Sequence, residues 1–318
     1  MKRAQNDLAA LYPKVGQPDN AVALAAKALE REEEILPPNH PDLARSYHDL
    51  GSMFYKMAHY EKAITFFEKA LEIRKEILSP DDVDLGLTYN EMGAVYSAMK
   101  QPTKALELYN KALEIWLKSS SDDDSRMVTI HYNIAQAYID MKEFADGARY
   151  LEKALVFKKR ICGENGKQLI SFYRKMYHVY AEANNDEAVV EYIIKSIKVL
   201  EANVPVDEKE LVTCYRNMGL FYYNRERYTE AAPHLEKALE ILERISPDDD
   251  GALADAYTNL AVVLSNDGQF EKSLPYFERG LALLERNPQE TDERIEGMKI
   301  RMGHIKGFLT MKKLLVNK

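Results

Sequence analysis

Apolar side chains recur along this chain every three or four residues, the spacing of one helical face. Leu43, Tyr47, Leu50, Phe54 and Met57 form one such run, and Ile64, Phe67, Ala70, Leu71 and Ile73 form the next. A short break at Ala58–His59 separates the two runs, so together they predict a helical hairpin. Long stretches of Ala, Leu, Glu and Lys, with only 14 Gly and 12 Pro, favour helices over strands throughout.

The hairpin repeats. YEKAITFFEKALEI (60–73), PTKALELYNKALEI (102–115) and YTEAAPHLEKALEI (228–241) align without gaps. Ala63, Ala105, Gly147, Val189, Ala231 and Ser273 occupy one column at 42-residue intervals. Ala9, Gly51, Gly93, Ala135, Tyr177, Gly219, Ala261 and Gly303 occupy a second, where small residues let two helices approach closely. An unslipped period predicts one continuous array over 1–318 rather than two domains. Its units fall at about 1–38, 41–79, 81–121, 123–163, 166–204, 207–246 and 248–287. The fifth is irregular, with bulky Tyr177 and Val189 and an Asn184-Asn185-Asp186 turn, so altered packing is expected there. Ser79-Pro80-Asp81-Asp82 and Ser246-Pro247-Asp248-Asp249 read as helix starts, with Ser as N-cap and Pro in the first turn. Pro13 interrupts the first helix of the first unit. Ile295, Met298, Met302, Ile305 and Leu309 share one face, followed by Lys312-Lys313, which predicts a capping helix over 292–316.

The columns Leu50-Gly51, Phe54, Tyr60, Ala63, Phe67 and Ala70 resemble the tetratricopeptide repeat signature. The 42-residue unit and the Asn39-His40-Pro41-Asp42 linker are similar to the repeats of kinesin light chains and nephrocystin-3-like proteins. The resemblance covers essentially the whole chain and implies an all-α, right-handed superhelical solenoid of tandem antiparallel hairpins. It also implies a protein-binding scaffold or adaptor. The heptad coiled coil ahead of the repeats in kinesin light chains has no counterpart in these 318 residues, so the resemblance is to the repeats alone.

Composition narrows the partners. The 43 Lys+Arg against 51 Asp+Glu give a net charge of -8, which argues against a general nucleic-acid binder. No apolar run approaches the roughly 20 residues that span a bilayer, and 1–12 lack a signal-peptide core, so no membrane insertion is expected. Cys162 and Cys214 sit in unrelated contexts, which points to unpaired thiols and a cytoplasmic, reducing location.

Catalytic patterns are missing. The seven histidines make no HExxH or paired-ligand spacing, and there is no G-x-S-x-G, Walker loop or GxGxxG. Asp122–Asp124 and Asp248–Asp250 lack the alternating ligands of a calcium loop and read as helix caps. Trp116 is expected to pack against the following unit. Neither an enzyme nor a cofactor or metal is indicated.

What remains is the surface of the first helices, which lines the concave face in this family. Three residues before the Gly51 column stand Asn6, His48, Asn90, Tyr132, Arg174, Arg216, Thr258 and Ile300; two before it stand Asp7, Asp49, Glu91, Asn133, Lys175, Asn217, Asn259 and Arg301. An acidic start thus gives way to a basic centre of Arg174, Lys175, His178 and Arg216. The resemblance implies that Asn at this site bonds a ligand's backbone while Lys or Arg reads its acidic groups; carboxamides both donate and accept, and guanidinium forks grip carboxylates. Arg3, Asp7, Arg45 and Asp49 do not fit the clamp that reads chaperone tails. The expected contacts with an extended, acidic peptide are Asn133, Arg174, Lys175, Arg216, Asn217 and Asn259, with Tyr132 and Tyr223 as aromatic surface. Two other readings are a ligand-sensing region of a larger signalling protein and a self-associating structural module.

Overall fold

The computed structural model describes residues 18–119, 124–286 and 292–316. The readings at Arg3, Asn6, Asp7, Ala9, Pro13, Asp122 and Asp123 fall outside these. Among the described residues there are fourteen helices and no strand. They are α1 (Pro18–Ile35), α2 (Pro41–Lys56), α3 (Tyr60–Ile77), α4 (Val83–Ala98), α5 (Pro102–Lys118), α6 (Asp124–Asp140) and α7 (Phe144–Cys162). Then follow α8 (Leu169–Glu182), α9 (Asp186–Ala202), α10 (Glu208–Asn224), α11 (Tyr228–Ile245), α12 (Asp250–Asn266), α13 (Phe270–Arg286) and α14 (Asp292–Val316).

Two compact units emerge. The first runs to Glu164 and includes His178–Asn185; the second holds Asn165–Tyr177 and everything from Asp186 onward. The irregular fifth repeat is therefore where the division falls, with residues 169–177 of α8 in one unit and 178–182 in the other. In the first unit, α2 packs with α3, α4 with α5 and α6 with α7, and each hairpin stacks on the next. In the second, α10 packs with α11, α12 with α13, and α14 closes on α13.

The six hairpin turns among the described residues share one backbone. Ala58, Lys100, Lys142, Asn184, Glu226 and Gly268 take positive φ, each seven residues after its Gly51-column residue. The N–H of the following residue closes on a carbonyl five residues back: His59 on Phe54 and Gln101 on Tyr96 in the first unit, Arg227 on Tyr222 in the second, at 2.9, 2.9 and 3.0 Å. This is a Schellman stop. A left-handed residue with a side chain costs roughly 1–2 kcal/mol, so packing of the hairpin imposes the turn against local preference. Sequence reading located the break but could not see this geometry, because only one of the six is glycine.

The small columns do what their spacing predicts. A Cβ built on Gly93 would lie 2.6 Å from the Tyr109 ring, and one on Gly219 would lie 2.5 Å from Leu235. At Gly51, Gly93 and Gly219 the small residue of the first helix thus seats a large side chain sixteen residues later. A second column, Tyr47, Tyr89, Tyr215 and Tyr257, is held from both sides. Tyr47 donates to Glu33, Tyr215 to Glu201 (3.4 Å) and Tyr257 to Glu243, all fourteen residues earlier. Lys69, Lys111, Lys237 and Arg279, each twenty-two residues later, lie 4.7–5.8 Å from the same rings.

Two expectations need correction and a third is extended. Asp82 and Asp249, not Ser79 and Ser246, cap α4 and α12, accepting from Asp84 N and Ala252 N. Pro80 and Pro247 lie in turns closed by Asp82 N→Ser79 O and Asp249 N→Ser246 O, which present Asp82 and Asp249 to the helix N-termini. Trp116 packs on its own hairpin as well as on the next. Its Nε1 donates to Val83 O at 3.1 Å and its ring covers Gly86, while its other side joins Met127 and Ile130 of α6.

Candidate functional site

Outward positions of the first helices have different fates in the two units. In the first, Asn133 Nδ2 donates to Asn90 Oδ1 at 2.9 Å, joining α6 to α4. Asn90 is only 7% exposed, and among the described residues its Nδ2 and Asn133 Oδ1 have no other partner. One amide donor and one amide acceptor stay open, the pair that complements a peptide group. Asp49 and Glu91 flank this pair in sequence register, and burial raises both carboxyls above their ordinary range, against the pull of Lys56. Tyr132 is half-buried beside them in sequence.

Nearby in that unit, Arg74 is buried, with Nη1 3.2 Å from His48 Nδ1 and donating to Thr88 Oγ1 and Asp84 O. The contact requires His48 Nδ1 to be unprotonated. Burial first, then Arg74, pushes His48 down to about 4.

In the second unit, Asn217 Nδ2 donates to Tyr177 Oη at 2.7 Å, joining α10 to α8. Burial pushes the Tyr177 hydroxyl up, and Asn217, Arg174 and Arg216 partly offset this. Tyr177 is thus the residue around which Arg174, Arg216 and Asn217 are gathered. Arg174 is engaged by Glu210; Arg216 is exposed and makes no ion pair among the described residues. Lys175 is half-buried on α8, and Asn259 is half-buried on α12 with no side-chain hydrogen bond among the described residues. Tyr223 stands at the far end of α10, its ring 5.7 Å from Tyr228 and turned toward the hairpin turn. The structure therefore brings Arg174, Arg216 and Asn217 together, keeps Tyr132 and Asn133 in the other unit, and gives Tyr223 a packing role.

Sequence reasoning missed Tyr177, Glu210 and Asn90. Tyr177 registered only as bulk in a small-residue column. The signal was the offset: Asn217 and Asn133 reach residues 40 and 43 positions earlier, about one repeat. Glu210 lines a cleft of about 280 Å³ with Lys167, Arg174 and Asp207, whose charges largely answer one another.

Among the described residues no group of three or more His, Cys, Asp or Glu could hold a metal ion, and no helix is long and apolar enough to cross a membrane. Both cysteines are unpaired; burial pushes the Cys214 thiol up to about 11, away from reactivity.

The tetratricopeptide repeat profile matches residues 2–76, 84–159 and 210–286. The chain belongs to the tetratricopeptide repeat family. Its solved neighbours include the C-terminal part of a tetratricopeptide protein from Cytophaga hutchinsonii, at 15% identity and TM-score 0.65, covering 92% of this chain and 98% of that one. The apo form of RapI matches at 19% identity and TM-score 0.61, over 99% of this chain and 88% of that one. Nearly identical TPR-like repeats of a kinesin-light-chain type from Podosopora anserina match at 19% identity and TM-score 0.56, over 64% and 96%. These likenesses show a shared solenoid fold. No curated protein matches. Tetratricopeptide repeat proteins are in general protein-interaction scaffolds, and the repeats of this chain support that role in general terms.

Proposed function

We propose that this scaffold holds an extended, acidic segment of a partner protein on its first-helix face, acting as a cytoplasmic adaptor without chemistry of its own. The observation that carries this reading is Arg216: an exposed guanidinium with no counter-ion among the described residues, held beside the Asn217–Tyr177 bond. A ligand carboxylate offers it the bidentate partner it lacks. Arg174 and Lys175 add positive charge on α8, and Asn259 offers a free carboxamide on α12. In the other unit, the open donor and acceptor of the Asn90–Asn133 pair suit the backbone of the same kind of ligand, with Tyr132 as aromatic surface. We also propose that the repeats form one array, since the 42-residue register runs unbroken through 165–185.

A peptide-array selection followed by titration tests the reading. Enrichment of acidic segments, with affinity lost in Arg216→Glu/Asn217→Ala, is the expected result. Hits of no consistent charge, or hits indifferent to that double variant, would overturn it.

A further inference from the structure

The last helix has a second apolar face. Its inner face buries Met298, Met302 and Ile305 against Phe277 and Leu284, and Lys299, Lys306 and Lys312 pair with Glu285, Glu278 and Glu271 of α13 at 2.8–3.0 Å. On the opposite side, Ile300, Gly303, Gly307, Met311 and Leu314 follow one another at spacings of three and four, a stripe of about 21 Å. Ile300, Met311 and Leu314 are 52%, 63% and 64% exposed, and Leu315 beside them is 74% exposed. Of eleven large apolar side chains exposed among the described residues, five lie on this one helix. Such a concentration marks an interaction surface rather than ordinary scatter.

The repeat register says what shape belongs there. Gly303 stands in the Gly51 column, where Gly93 and Gly219 receive Tyr109 and Leu235 from a second helix; a Cβ on Gly303 or Gly307 would meet nothing. None of the described residues folds back to fill the place. The first helices of α2, α4, α6, α10 and α12 all stop five residues after the column and turn at the seventh. In α14 that seventh position is Thr310, which is helical, and the helix runs on to Val316. Among the described residues, a slot for a helix is built and left without its occupant.

Charge selects the occupant. Beyond Glu296 every charged residue of α14 is basic; Arg301 makes no ion pair among the described residues, and Lys313 adds to the positive field that already lowers Glu271. A second copy would set these cations against themselves, and a net charge of -8 opposes an anionic bilayer. We propose that the outward face of α14 docks an amphipathic helix of a partner protein that places a large apolar side chain on Gly303 and acidic residues along its flanks. This surface is separate from the first-helix face, and its fate does not depend on the peptide reading.

A labelled peptide of residues 228–245 is a suitable probe. It carries Leu235, which fills the same column at Gly219, with Glu230, Glu236, Glu240 and Glu243 against Lys237 and Arg244. Anisotropy titration with the full chain should show saturable binding. It should weaken at least about tenfold in Gly303→Leu, and vanish when the four Glu are changed to Lys. Gly303→Leu should keep its helicity and melting temperature, because nothing lies near Gly303 to clash. Absence of binding to wild type, or binding indifferent to Gly303→Leu with Met311→Lys, overturns the proposal. So does a concentration-dependent dimer in sedimentation that Gly303→Leu abolishes, since the occupant is then a second copy.

Discussion

Asn133 and Asn217 occupy the same column two repeats apart, and each ties its first helix to the preceding one. What surrounds them is opposite. In the first unit the bond runs to a buried amide, and the charges in the same repeat column are Asp49 and Glu91, carboxyls that burial holds above their ordinary range. In the second the bond runs to a buried tyrosine, and the neighbouring charges are Arg174 and Arg216. The backbone solution is one; the electrostatic surface written on it is two. Inward columns fix how hairpins stack, and outward columns are free to differ in charge.

The strongest break of the comparison keeps the column and changes the neighbours. Gly93→Leu drives a side chain into the Tyr109 ring, while Gly303→Leu enters open space. The first should cost about 3 kcal/mol or more, in the range of severe overpacking. The second should be neutral or slightly stabilising, since it removes a helical glycine. Paired thermal or urea melts decide it; equal losses would mean that the repeat register misplaces Gly303.

Acid should separate the units next. His48 faces Arg74, with Asp84 and Asp49 in the same surroundings. Its folded pKa of about 4 lies below the ordinary 6.5, so the unfolded chain binds the proton more readily. Stability is fully present above pH 6.5 and is lost as pH falls toward and through 4, by up to about 3 kcal/mol. His48→Gln should flatten that acid limb in urea melts at pH 4–7; a limb of unchanged slope would remove His48 as its cause.

Binding sharpens the contrast at smaller magnitude. Arg216→Glu should weaken an acidic peptide by about tenfold, or about 1.4 kcal/mol, whereas Glu91→Gln should leave it unchanged or slightly tighter. Equal losses in the two variants would show that the two faces are not electrically distinct to the ligand.

The smallest effect is one that should not distinguish the units at all. Lys100→Gly and Glu226→Gly each relieve a left-handed residue at an equivalent turn. Each should stabilise by about 0.5–1 kcal/mol, the left-handed cost less the added entropy of glycine. Unequal melting shifts would mean that the turns are strained differently despite their common backbone.

Much of this was legible in the chain. The period of 42 residues, the hairpin and the columns at Gly51 and Ala63 follow from spacing alone, because a helix puts every third or fourth residue on one face. The same counting placed Arg174, Arg216 and Asn217 on outward positions. It could not find that Glu210 engages Arg174, that Asn90 receives Asn133, or that Tyr177 lies at the centre of the basic group. Those contacts join helices some 40 residues apart, and their partners depend on how side chains fall across a packed interface. Ser79 and Ser246 failed as caps for a related reason: proline and two carboxylates formed a turn, and the choice between neighbouring caps was settled by which one the turn presents to the helix.

By itself, then, the sequence determined the repeat, the helical class and which columns face inward, because periodic burial is a property of the chain. Tertiary structure alone decided the left-handed turns at Ala58, Lys100, Lys142 and Glu226, the pairing of polar groups between first helices, and the open second face of α14. These arise only once helices pack, when close approach forces a backbone against its preference and a missing neighbour leaves a built slot exposed.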